Sequence, residues 1–199
     1  MKNLLKILWI APLLLMFNCG DDDDDSNNVT PPQGDNVLIV GDVSYDLEWG
    51  SLLNFGEFEP GIINIDLELW STGLIVPESG CDPEEGEGQG LYFEMFTSNE
   101  TSLDDGTYTY NMDPALTTWD YGDYNLNLDS NANNNEDLWV ELESGTVSIE
   151  KTGSNYNISW DLVDVNNVSI TGIYSGSLNY CDEDGGNLQP NGSSKRSNN

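Results

Sequence analysis

The chain contains no histidine among its 199 residues. Nucleophile activation of the Ser-His-Asp or Cys-His kind is therefore closed to it, as is histidine-ligated zinc. Bases are almost as scarce, with five Lys+Arg against 36 Asp+Glu and a formal charge of −31. A phosphate backbone needs a basic face, so nucleic acid is excluded as a partner, and direct docking on anionic lipid fails for the same reason. No glycine-rich loop follows a strand pattern and opens a helix, which argues against nucleotide binding. Past residue 36 no segment carries a convincing helical apolar period. The long apolar run at the N-terminus, Ile7 to Phe17, is shorter than the ~20 residues that span a bilayer.

What is present begins with that run. Lys2 and Lys6 precede "ILWIAPLLLMF", giving the positive and apolar regions of an export signal over residues 1–18. The run closes on Cys19, followed by "GDDDDD". A cysteine here, with glycine after it, resembles a bacterial lipobox, although Asn18 stands where a small residue is usual and Met16 where leucine is commonest. The resemblance implies cleavage before Cys19 and its acylation, hence attachment to a membrane by a lipid anchor. "CGDDDDD" is also similar to the acidic export tract of Bacteroidota surface lipoproteins, which implies an outer-membrane location facing the cell exterior. An ordinary export signal with a chance cysteine is the competing reading. Like charges keep a chain solvated and extended, so residues 19–36, continuing through "SNNVTPPQGDN", read as a flexible tether. Without the signal, three bases remain against 36 acids, a formal charge of −33.

Roughly 160 residues remain, enough for one domain with a core. Six tryptophans and nine tyrosines set the chain apart from acidic disordered sequences. Apolar and polar residues alternate with period two in "SYDLEW", "IINIDLELW", "GLYFEMF", "GTYTYNM", "YNLNL", "LWVELE", "TVSIEK", "NYNISWDL" and "ITGIYSGSLNY". Turn-forming text separates them: "EPG", "LDDG", "SNANNNED", "ESG", "KTGSN" and "DVNN". The expectation is an all-β domain over residues 37–182, an antiparallel β-sandwich or closed β-barrel of about nine or ten short strands, with a disordered tail over 183–199. Alternation alone does not separate sandwich from barrel. The text from "GTVSIEKTG" to "YSGSLNY" is similar to the closing strands of small uncharacterised Bacteroidota lipoproteins. That resemblance implies fold and location, and no activity.

With Cys19 assigned to lipid, Cys81 and Cys181 remain as an even pair in an exported protein, which reads as a disulfide. Two unpaired thiols are the alternative. A bridge would bring Asp82, Glu84 and Glu85 near Asp182, Glu183 and Asp184, where like charges repel unless a cation intervenes. A second candidate cation site lies in "DSNANNNED". Asp129, Asn131, Asn133, Asn135 and Asp137 place oxygen donors at alternate positions, from which a loop can wrap one Ca2+ ion. The first half resembles an EF-hand loop, but Asn134 replaces the invariant glycine and Val140 the bidentate glutamate. An asparagine-rich turn and solvated acidic loops are the simpler readings.

Several aromatics fall on the polar faces of their strands. Trp70 shares the face of Asp66 and Glu68, Tyr92 and Phe96 flank Glu94, and Trp139 accompanies Glu141 and Glu143. "TTWDYGDY", read as a loop, adds Trp119 and Tyr121. Rings beside carboxylates suit stacking on a glycan or an interface with an outer-membrane protein. Coverage by neighbouring loops is the competing reading. Paired carboxylates could also hydrolyse a glycosidic bond, with Glu68, Glu94, Glu141 and Glu143 as examples. So many acids make chance pairs certain, so no catalytic residue is assigned. The expectation is a non-catalytic surface lipoprotein whose β domain binds a ligand or partner. Its rivals are an accessory subunit of an uptake or secretion complex and a small glycan hydrolase.

Overall fold

The computed structural model describes residues 36–77, 80–131 and 139–183, and within them the chain is all β. Eleven strands follow in order: β1 (Val37–Val40), β2 (Val43–Glu59), β3 (Ile62–Ser71), β4 (Leu74–Ile75), β5 (Glu85–Thr97), β6 (Gly106–Tyr110), β7 (Thr118–Asp129), β8 (Val140–Thr152), β9 (Asn155–Asp164), β10 (Ser169–Ser177) and β11 (Asn179–Asp182). β1 pairs with both β10 and β2, and the remaining pairings run through β9, β8, β7, β5 and β3 back to β2. The hydrogen-bonded ring therefore closes, and the sheet is barrel-like. Closure removes the unpaired edges that an open sheet would leave.

Around the ring every pairing is antiparallel, and the two parallel pairings come from added strands. β7 and β8 meet directly only at Asp123–Glu141 and Tyr124–Val140. Where they splay, β6 enters, parallel to β7 and antiparallel to β8. β11 lies parallel to the second half of β2, Asn179 opposite Ser51 and Cys181 opposite Leu53.

The alternation seen in the sequence supplies the interior. Along β9, Tyr156, Ile158, Trp160 and Leu162 point inward and the intervening residues outward. They join Ile63, Ile65, Leu67 and Leu69 of β3, Leu91, Phe93 and Met95 of β5, and Trp119 of β7 in one core. An eight-stranded ring has an interior that side chains just fill. Room for Trp160 depends on Gly172 in β10, where an added Cβ would overlap both the indole and the Val37 carbonyl.

Three expectations are corrected by the structure. "LWVELE" and "TVSIEK" belong to one strand, β8, because "ESG" is a bulge and not a turn: the register shifts between Leu142 and Ser144, and Gly145 takes φ 122°. "TTWDYGDY" is the opening of β7 and not a loop. Its alternation is obscured by a bulge opposite Glu94 and Met95, which inserts Asp120 between Trp119 and Tyr121. Finally, "ITGIYSGSLNY" breaks at Leu178 into β10 and β11.

Candidate functional site

β3 is buried on both faces: the inward residues fill the core, and the outward ones, Asn64, Asp66, Glu68 and Trp70, are covered too. Over Ser51 and Glu68 the cover is the segment after β4, which Cys81 ties to β11 through a disulfide with Cys181. Ser51 Oγ donates to the Cys81 carbonyl at 2.7 Å, fixing this segment over the sheet. Further along, Trp70, Leu74, Val76 and Leu128 form a second, smaller core, with Trp139 packed against it. Gly90 lies under these indoles, where any side chain would overlap Trp70.

Cross-strand register assembles a polar layer from residues far apart in sequence. Asp66 stands opposite Glu94, and Glu94 opposite Tyr121. In the next row Ser51, Glu68, Tyr92 and Asp123 align. Tyr92 donates its hydroxyl to Asp66 Oδ2 at 2.6 Å, Asn64 Nδ2 donates to Glu94 Oε1 at 3.1 Å, and Tyr121 donates to Asp123 Oδ2 at 2.8 Å. The bulge at β7 delivers Asp120 to the same side, within electrostatic reach of Asp66 and Glu94. The rings of Tyr92 and Tyr121 meet edge to face at 6.0 Å, and those of Phe58 and Phe96 at 5.3 Å.

Asp66, Glu68, Glu94 and Asp120 thus share a desolvated face with Asp123. Burial holds Asp66 well above the ordinary carboxylate range, opposed by the Tyr92 hydrogen bond and reinforced by Glu94 and Asp120. Burial likewise raises Glu68, and Asp82, carried in by the disulfide-bound segment, raises it further. Glu94 is pushed up to about 7 by burial and by Asp120, and Asp120 to about 6 by burial. Asp66 and Glu68 are only 5 % and 7 % exposed, yet Asp66 Oδ1 and Glu68 Oε2 have no hydrogen-bond partner, and neither does Asp120 Oδ1. Perturbed carboxyls gathered beside aromatic rings are the usual physical marks of a functional site.

The aromatic candidates separate sharply. Tyr121 is 37 % exposed and Tyr92 half-buried, both at the carboxyl group. Trp119 is corrected: it is 0 % exposed and points into the barrel, because the bulge places it on the inner face. Trp70 is buried in the second core and offers no face to a ligand, and half-buried Trp139 packs against it with 6.4 Å between rings. Phe58, exposed at the end of β2, was absent from the expected set. Its signal in the sequence was an aromatic in the acidic run "GEFEP". Of the carboxyls named for hydrolysis, Glu68 and Glu94 join the cluster, whereas Glu141 and Glu143 are exposed on β8.

The cation expectations fare differently. Asp129 and Asn131 form a local turn, with the Asn131 amide donating to Asp129 Oδ1, while Asn133, Asn135 and Asp137 lie outside the described residues. The disulfide brings Cys81 and Cys181 together as expected, but Asp184 is also outside them. Among the described residues no three acidic, cysteine or histidine side chains sit close enough to hold one metal ion. Cys19 and the aspartates after it lie outside the described residues. No helix among the described residues is long and apolar enough to cross a membrane, which says nothing of membrane barrels. No protein-family model matches the chain, and neither curated proteins nor solved structures gave a match.

Proposed function

We propose that this is an exported, lipid-anchored protein of the outer-membrane surface, whose barrel binds a saccharide-like ligand on the β3–β5–β7 face without catalysing its turnover. The observation that carries the reading is the pairing of Tyr92 and Tyr121 beside Glu94 and Asp120. Aromatic faces stack on the apolar face of a sugar ring, while carboxyl oxygens accept its hydroxyls. Titrating the domain with neutral oligosaccharide mixtures by calorimetry should give binding that Tyr121→Ala weakens about tenfold or more, the scale of one stacked ring. Binding that survives Tyr121→Ala and Phe58→Ala together would place the ligand elsewhere. Release of reducing sugar, abolished by Glu94→Gln, would replace the binding reading with a hydrolase. Co-purification of a stable membrane partner from mild detergent would favour the subunit reading.

The anchor has its own test. Cys19→Ser is expected to leave the protein uncleaved or soluble. Replacing Asp21 to Asp25 with asparagine should preserve lipidation and lower surface display. Equal loss of the wild type and the asparagine variant on protease shaving of whole cells would contradict the role of the aspartates.

A further inference from the structure

The carboxyl layer raises a question of charge. Asp66, Glu68, Glu94 and Asp120 share one outer face, and the single base among the described residues, Lys151, is occupied elsewhere. Its Nζ lies over the Tyr156 ring, 5.3 Å from the centroid, on the β8–β9 hairpin. Buried acids are ordinarily paired or neutralised. Here Asp66, nine-tenths buried, keeps Oδ1 unpartnered, with Glu94 and Asp120 as its charged neighbours, and Asp120 Oδ1 is unpartnered too. Among the described residues, nothing supplies a countercharge to this face. A bare metal ion is a poor complement, since no three of these groups converge on a common point. What fits is a cation larger than a metal ion that needs only one or two carboxylates and gains from aromatic rings. An ammonium group meets both conditions: Glu94 and Asp120 accept its hydrogens, and the tyrosine rings attract it through their negative faces.

We infer that the ligand of the β3–β5–β7 face is a cationic amino sugar, its ammonium held by Glu94 and Asp120 and its ring by Tyr92 and Tyr121. The inference rests on the saccharide reading above and narrows it to a chemical class. A neutral sugar would stack equally well but leave Glu94 and Asp120 holding their protons, whereas an ammonium stabilises their ionised forms. Uptake of the ammonium by Glu94 and Asp120 should therefore ionise both, each carboxyl proton passing to an unprotonated amine of the ligand or to the buffer.

The test compares two probes of the same length, the glucosamine tetramer with free amines and its fully N-acetylated counterpart. Calorimetric titrations of the full-length mature protein at about pH 6.5 and about 0.15 M salt screen distant surface charge beyond ~8 Å. The free-amine tetramer is expected to bind about tenfold or more tighter. Glu94→Gln with Asp120→Asn should abolish that preference. Glu150→Gln with Asp161→Asn, which removes one glutamate and one aspartate from exposed positions on the opposite wall, should keep it. Equal affinity for the two tetramers would overturn the inference and leave the saccharide reading standing. Loss of preference in both double variants would reduce it to bulk charge and overturn it as well. If neither tetramer nor any neutral oligosaccharide binds, both readings fall together.

Discussion

Trp119→Ala is expected to destabilise the domain by about 3–5 kcal/mol, the range for removing a buried aromatic. The indole is fully enclosed, its ring centroid 5.8 Å from Phe93 and 4.8 Å from Tyr110. It sits where β6 wedges between β7 and β8, so the cavity would open at the weakest seam of the ring, and close packing leaves nothing nearby to fill it. Whole domains are stable by only ~5–15 kcal/mol, so this one truncation removes a large share. Tyr121, two residues on, provides the contrast. Tyr121→Ala should cost about 1 kcal/mol, roughly one hydrogen bond, because its ring is part-exposed and its hydroxyl binds Asp123. Urea unfolding of both variants measures the difference. Comparable losses would mean that the β7 bulge does not divide the two residues between core and surface.

Loss of the Cys81–Cys181 bridge is the second large effect. The two cysteines are 100 residues apart, and closing a loop of that size stabilises by up to ~4.7 kcal/mol in the chain-entropy description. Cys81→Ala with Cys181→Ala should therefore lower the melting temperature by roughly 10 °C, at ~2–4 °C per kcal/mol for a domain of this size. A local consequence follows from the geometry. β11 is four residues long and held to β2 on one side, and the segment carrying Cys81 covers Ser51 and brings Asp82 to Glu68. Without the bridge this cover loosens, water reaches Glu68, and its proton affinity should fall toward that of an ordinary carboxylate. A variant that melts with the wild type would show that strand pairing alone holds the cover in place.

Much of the architecture was legible in the sequence because strand alternation is a local property. "NYNISWDL" and "IINIDLELW" could be assigned inward and outward faces without knowing their neighbours. Closure was not legible. It depends on β1, a four-residue strand, bonding β10 across most of the chain length as well as its neighbour β2. No periodicity encodes that pairing. The bulges misled in both directions. Gly145 looked like a turn, and the inserted Asp120 made β7 look like a loop, which put Trp119 on the wrong face. The site was half visible. Asp66, Glu68, Tyr92 and Glu94 read as an odd polar face with aromatics, but joining them to Asp120 and to Asp82, next to the bridged Cys81, required the register of four strands. Cys81 and Cys181 were paired correctly from arithmetic and compartment, because only two cysteines remained once Cys19 was set aside.

The ligand site proposed for this barrel depends on a desolvated carboxyl layer on its outer face, and the titration of those carboxyls tests it most directly. Groups whose folded affinity for protons is raised stabilise the fold while protonated. Their contribution is present at acid pH and is lost as pH rises from the ordinary carboxylate range through their folded values. Side-chain carboxyl NMR across a pH series, assigned by Asp66→Asn, Glu68→Gln, Glu94→Gln and Asp120→Asn, gives each midpoint separately. The expected result is Glu94 near 7 and Asp120 near 6, with Asp66 and Glu68 well above ordinary carboxylates. Four midpoints in the normal range near ~4 would mean that water reaches all four groups, and the face would then be an ordinary solvated surface and not a binding site.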